Sequence, residues 1–200
     1  MRLERREQIE RQLLEATERL MGGGASFTEL SVERLANEAG ISRASFYIYF
    51  EDKGHLLMQL ASHVFGELAG DASQWWSASG RHDTHDLEAA MAGIIASYRR
   101  HQLMIGALNE MAAYDPIVAA TYRDLMIGIT DGLAKVIEDG QADGSIRNTI
   151  SVQATASALT WMVERTCHQN LAHSDGDNDS ELATTLAQIV WAALYLESIE

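Results

Sequence analysis

Residues 31–50 read Ser-Val-Glu-Arg-Leu-Ala-Asn-Glu-Ala-Gly-Ile-Ser-Arg-Ala-Ser-Phe-Tyr-Ile-Tyr-Phe. Ser31 and Ser42 each stand just before a short run with helical periodicity, and serine is a favoured N-cap. The spacing predicts helices over 32–39 and 43–49. Gly40 lies between them and supplies the left-handed conformation a sharp turn needs. Ala36 is small enough for two helices to cross closely there. Ile41 and Phe46 pin the second helix on the first, with Val32, Leu35, Ala39 and Phe50 completing a small core. This is the form of a helix-turn-helix.

Burying those positions leaves the other face of the second helix free. It offers Ser42, Arg43, Ala44, Ser45, Tyr47 and Tyr49. Short polar residues with one arginine near a helix start suit base-edge reading in a DNA major groove. Arg43 suits a bidentate contact to guanine, and the Ala44 methyl a contact to thymine. Tyr47, Tyr49 and Ser31 are placed for phosphates. Lys53, in the first turn of the next helix, is read as reaching a phosphate beside the helix amides.

Outward from this segment the chain is helical throughout. It has 200 residues, with 46% hydrophobic and 22% charged, the composition of a folded domain. A single proline favours long helices over a loop-rich fold. The pattern predicts nine helices and no strand, hence an all-α fold: 2–21, 32–39, 43–49, from the Asp52 cap to Trp76, 87–100, 103–114, from Pro116 to Glu138, from the Ser151 cap to about Ala172, and 181–196. Gly140 and Gly144 are read as the turn after the seventh. No stretch reaches the roughly 18 apolar residues a membrane span needs, and no leader-like segment opens the chain, so a cytoplasmic protein is expected. One cysteine, Cys167, excludes an internal disulfide and a cysteine-rich zinc site.

A formal charge of −14 argues at first against a nucleic-acid partner. The charge is uneven. Residues 1–53 hold 8 Lys and Arg against 10 Asp and Glu, whereas the remainder holds 7 against 19. Acidity thus belongs mainly to the second part, and Arg2, Arg5, Arg6, Arg43 and Lys53 are available to phosphates.

The stretch Phe27-Thr-Glu-Leu-Ser through Ile41-Ser-Arg-Ala-Ser-Phe-Tyr-Ile-Tyr-Phe-Glu-Asp-Lys-Gly-His-Leu-Leu-Met58 resembles the DNA-binding signature of TetR-type repressors. Gly54 and Ile48 depart from the long polar residue and the polar or aromatic residue usual there. Trp161-Met-Val-Glu-Arg-Thr166 resembles a segment of one subgroup of that family. The resemblance implies a three-helix DNA-binding domain, expected at residues 1–53, and a helical effector-binding and dimerisation domain, expected at 54–200. It implies a homodimer built on the last two helices, a palindromic double-stranded operator, and a small effector that releases the DNA.

The second part permits a ligand site on its own residues. Leu87, Met91, Ile94 and Tyr98 form one stripe; Tyr122, Met126 and Ile129 a second; Thr160, Val163, Glu164 and Cys167 a third; Trp191 lies in the last helix. Apolar, aromatic and methionine side chains with a few polar groups are a usual lining for a largely apolar molecule, although such stripes also form solid cores. Glu164 and Arg165 are read as an ion pair. Ala154, Ala156, Ala158 and Trp161, with Ile189, Ala192, Ala193 and Leu196, suit a dimer surface.

Other signals are weak. Asp175, Asp177 and Asp179 lack the glycine and final glutamate of a calcium loop. His82, His85, His168 and His173 lack ligand partners at useful spacing. No nucleophile motif or phosphate loop is present, so no enzyme, cofactor or metal is expected. An all-helical carrier protein is the alternative to a regulator.

Overall fold

In the computed structural model, backbone is described for residues 2–76, 83–171 and 176–195, and side chains for 5–70, 83–170 and 176–195. Nine α-helices and no strand occur among these residues: α1 (Arg2–Gly22), α2 (Val32–Glu38), α3 (Arg43–Tyr49), α4 (Lys53–Trp76), α5 (Thr84–Arg100), α6 (Gln102–Ala112), α7 (Pro116–Asp143), α8 (Val152–Leu171) and α9 (Asp179–Leu194), plus one 3-10 turn, Phe27–Glu29. The chain is all-α, as its periodicity indicates. Most of the polar stretch 77–83, together with His82, His173, Ser174, Asp175 and Leu196, lies outside the described residues.

Local side chains set the helix starts. Ser31 Oγ accepts from Arg34 N (3.2 Å) and Ser42 Oγ from Ser45 N (2.9 Å). Asp52 Oδ1 accepts from His55 N at 2.7 Å, and Asp115 Oδ1 from Ile117 N at 2.8 Å beside Pro116. Each cap satisfies an amide that the first helical turn leaves open. The fifth helix begins three residues before its expected start, at Thr84, because Asp83 Oδ1 accepts from Asp86 N (2.8 Å) and caps it there.

Gly140 does not turn the chain, contrary to the sequence reading. α7 continues to Asp143, and the turn falls at Gly144, whose φ is +83°. Gly140 is buried inside the helix because Ile146 folds back upon it; a Cβ there would lie 2.7 Å from Ile146 Cδ1. Gln141 Nε2 then donates to Arg147 O and Ile150 O, fastening the loop to the helix.

The chain forms two compact units, Met1–Phe65 with His101–Arg123, and Gly66–Arg100 with Asp124–Glu200. Two of the boundaries fall inside α4 and α7, and the third lies between α5 and α6. The first unit is centred on Leu13, Phe27, Leu35, Phe46, Phe50, Leu56 and Met104, all essentially inaccessible. α6 packs on α1, and the buried His101 joins them through Nδ1, 2.7 Å from Glu18 Oε1. The second unit is built on α5, α8 and α9. Leu87, Ile95, Ala183, Leu186, Val190 and Leu194 are buried there. Arg99 Nε and an Nη donate to the two oxygens of Asp179, both at 2.6 Å, a bidentate clamp at the start of α9. The Thr184 hydroxyl donates to Glu88 on the facing helix.

A candidate DNA-reading helix and a candidate effector region

The helix pair α2–α3 turns as its residues require. Gly40 has φ +70°, and Ile41 N donates to Ala36 O at 2.9 Å. Leu35, Ala36, Phe46 and Phe50 are buried, and Phe46 packs against Phe50 with ring centroids 5.3 Å apart. This base holds α3 while its opposite side meets solvent. Ser42, Arg43, Ala44, Tyr47 and Ile48 are exposed; Ser45 and Tyr49 are half-buried.

The polar groups on α3 are organised before any partner arrives. Ser42 Oγ and Ser45 Oγ lie 2.8 Å apart. The Arg43 guanidinium lies over the Tyr47 ring, 5.7 Å from its centroid. A hydrogen bond with Tyr47 pushes the arginine pKa further up. An arginine braced on an aromatic ring loses less freedom on binding than a loose one. Ser31 is exposed at the start of α2 and lines an open cleft of about 580 Å3 with Leu20, Glu33, Arg34, Asn37 and Glu38. Arg34 is an exposed cation beside this cap that the sequence reading passed over. Its spacing of three residues from Ser31, the cap-to-N3 distance, was the available signal.

Without DNA, Lys53 is held within its own chain. Its ammonium donates to the carbonyls of Phe27 and Leu30 (both 3.4 Å) and of Thr28, and lies 5.8 Å from the Phe27 ring centroid. It ties the carbonyls of the 3-10 turn to the start of α4. Arg6 is also engaged, its Nε 2.8 Å from Glu10 Oε1.

The residues singled out for a ligand fall as follows. Leu87, Met91 and Tyr98 on α5, Met126 on α7, and Thr160, Glu164 and Cys167 on α8 are buried; Ile94, Ile129, Val163 and Trp191 are half-buried. All of these belong to the second unit. Tyr122 belongs to the first, edge-on to Phe65 with centroids 5.7 Å apart. Tyr98 OH donates to Glu164 Oε1 across 3.4 Å, joining two of the expected stripes. The Glu164–Arg165 pair is loose: Arg165 Nε is 3.9 Å from Glu164 Oε2, and the arginine side chain is mostly exposed. Burial pushes the Cys167 thiol up to about 12, with Glu164 and Asp179 adding to the shift. Trp191 stacks on Tyr195 at 4.3 Å. On the expected dimer surface Ala154, Ala158, Trp161, Ile189 and Ala192 are exposed, but Ala156 is fully buried within its own chain.

A glycine-turned helix pair with a braced arginine on its outer helix has the form of a helix-turn-helix of the DNA-binding class. The chain belongs to the TetR family: residues 13–60 match the model "Bacterial regulatory proteins, tetR family", and residues 87–196 match "Transcriptional regulator EthR, C-terminal domain". It is a transcriptional regulator similar to the mycobacterial regulator EthR. It is 27% identical to the HTH-type transcriptional regulator EthR of Mycobacterium tuberculosis over 174 residues, which covers 85% of this chain and 80% of that protein. Among solved structures, FadR of Bacillus subtilis in complex with stearoyl-CoA shares the fold, with a TM-score of 0.76, 13% identity and coverage of 92% and 98% of the two chains. A TetR-family regulator from Rhodococcus matches with a TM-score of 0.70, 20% identity and coverage of 92% and 98%. No described helix is long and apolar enough to cross a membrane.

Proposed function

We propose that this protein is a dimeric, ligand-responsive repressor of the cytoplasm, without catalytic activity, that binds a palindromic operator and is released by a small, largely apolar effector. Residues 1–53 make the DNA-binding part, and 54–200 the effector and dimerisation part. The observation that carries the reading is α3, where Arg43, Ala44 and Tyr47 are exposed above a base of buried Phe46 and Phe50. In the proposal Arg43 reads guanine. Ser42, Ala44 and Ser45 share its base-reading face, and Ser31, Tyr47, Tyr49 and Lys53 fix the register on phosphates. Two copies of α3 in a two-fold dimer meet successive major grooves, about 34 Å apart.

The effector is assigned to the buried and half-buried residues of the second unit, from Leu87, Met91 and Ile94 through Tyr98, Met126 and Ile129 to Thr160, Val163, Glu164, Cys167 and Trp191. That a neighbour of the same fold holds stearoyl-CoA supports a long apolar molecule. Release is a population shift: effector binding favours a conformation that fits the operator less well. Losing about 3 kcal/mol of operator affinity lowers it by more than a hundredfold.

A gel-shift titration against the DNA upstream of the protein's own gene tests the whole. A discrete shift that survives nonspecific competitor, and is reversed by long-chain acyl compounds with stearoyl-CoA among them, is the expected result. No shift at low salt removes the repressor reading. A shift that no acyl compound reverses removes the effector class and leaves the DNA reading standing.

A further inference from the structure

Ile48 is 75% exposed, near the end of a seven-residue helix whose neighbours Phe46 and Phe50 are fully buried. It lies one turn after Ala44, also exposed, so the two share a face of α3. Arg43 and Tyr47 make the adjoining stripe, one residue back in each case, and are occupied with each other. The helix therefore presents two narrow ridges, one cationic and aromatic, the other aliphatic. An isolated surface isoleucine needs no explanation, but this one extends the very surface that reads DNA.

We propose that Ile48 is a specificity-determining residue: its side chain covers the C5 methyl of a thymine, and with Ala44 it selects two thymines beside the guanine read by Arg43. The major-groove edge of a base pair offers one apolar group, the thymine methyl, and aliphatic side chains are its natural complement. A polar residue at position 48 would favour a phosphate and carry no base information. The aliphatic side chain has no hydrogen-bonding group for a phosphate, so its pairing with Ala44 favours the base edge. This inference rests on the repressor reading.

The test separates the two. Duplexes are selected from a random library with the full-length protein, and each thymine of the enriched site is then replaced by uracil, which removes only the methyl group. The native protein should lose about fourfold in affinity at the position under Ile48, the factor expected for burying one methyl. Ile48→Ala, at an exposed site where folding is unaffected, should bind the thymine and uracil duplexes equally at that position while keeping its guanine preference. A scan in which no thymine matters overturns the assignment. So does an Ile48→Ala protein whose uracil sensitivity is unchanged, or whose affinity falls equally for both duplexes, which would make Ile48 a backbone or protein contact. If selection enriches no duplex, the repressor reading itself fails and the assignment falls with it.

Discussion

Cys167 shows what burial does to one side chain. Its thiol is inaccessible, and its pKa is raised to about 12, first by desolvation and then by the charges of Glu164 and Asp179. Thiol reagents at pH 8 should therefore label the folded protein far more slowly than the denatured one. A labelling time course with and without denaturant checks this. The raised pKa also sets a pH dependence. The unfolded thiol ionises near pH 9 and the folded one near 12, so the native state holds the extra proton between them, and stability falls as pH rises through that window. Between pH 9 and 10 the thiol should contribute a loss of about 1 kcal/mol. Urea unfolding of the native protein against Cys167→Ala at both pH values isolates it; equal slopes would contradict the assignment.

Glycine carries the argument at the scale of the element, because the same substitution should act differently at three positions. Gly40 sits at φ +70° with open space around it, so Gly40→Ala should destabilise by about 1–2 kcal/mol through backbone strain alone. Gly66, exposed in α4 with nothing within 4 Å, should instead gain about 0.5–1 kcal/mol as Ala. Gly140→Ala would drive a methyl into Ile146 and should destabilise by about 1–3 kcal/mol. Melting curves of the three variants give the signs directly. Lys53→Met should likewise destabilise, by about 1 kcal/mol, since it removes a cation shared by three carbonyls. An unchanged melting curve would return Lys53 to a role on DNA alone. The same residues show how much was readable in the chain. The Ser31 cap, the Gly40 turn and the Ser42 cap act within four residues, so the α2–α3 pair was legible almost to the residue. Gly140 was misread, and the carbonyl partners of Lys53 were not legible, because Ile146 and residues 27–30 are brought in by the chain folding back. Arg34 was legible from its spacing and overlooked. The effector stripes were legible as buried faces, but α7 carries Tyr122 into one unit and Met126 into the other.

At the scale of the molecule, the proposed dimer predicts a coupling between the exposed face of α8 and α9 and the operator. Trp161 and Ile189 are exposed at 38% and 44% on α8 and α9. Trp161→Glu with Ile189→Glu should turn a dimer into a monomer by sedimentation and lose most operator affinity, because each half-site then binds alone. A double variant that stays dimeric would place the interface elsewhere. The first compact unit is discontinuous in sequence: residues 101–123 complete what residues 1–65 begin, and α6 lies on α1 with His101 against Glu18. Synthesis runs from the N-terminus. The helix-turn-helix therefore leaves the ribosome well before α6, the helix that packs on α1 and on the 3-10 turn. Until then the nascent chain exposes the surface of α1 that α6 will cover. Where translation slows between α4 and α6 therefore sets how long that face of α1 stays uncovered.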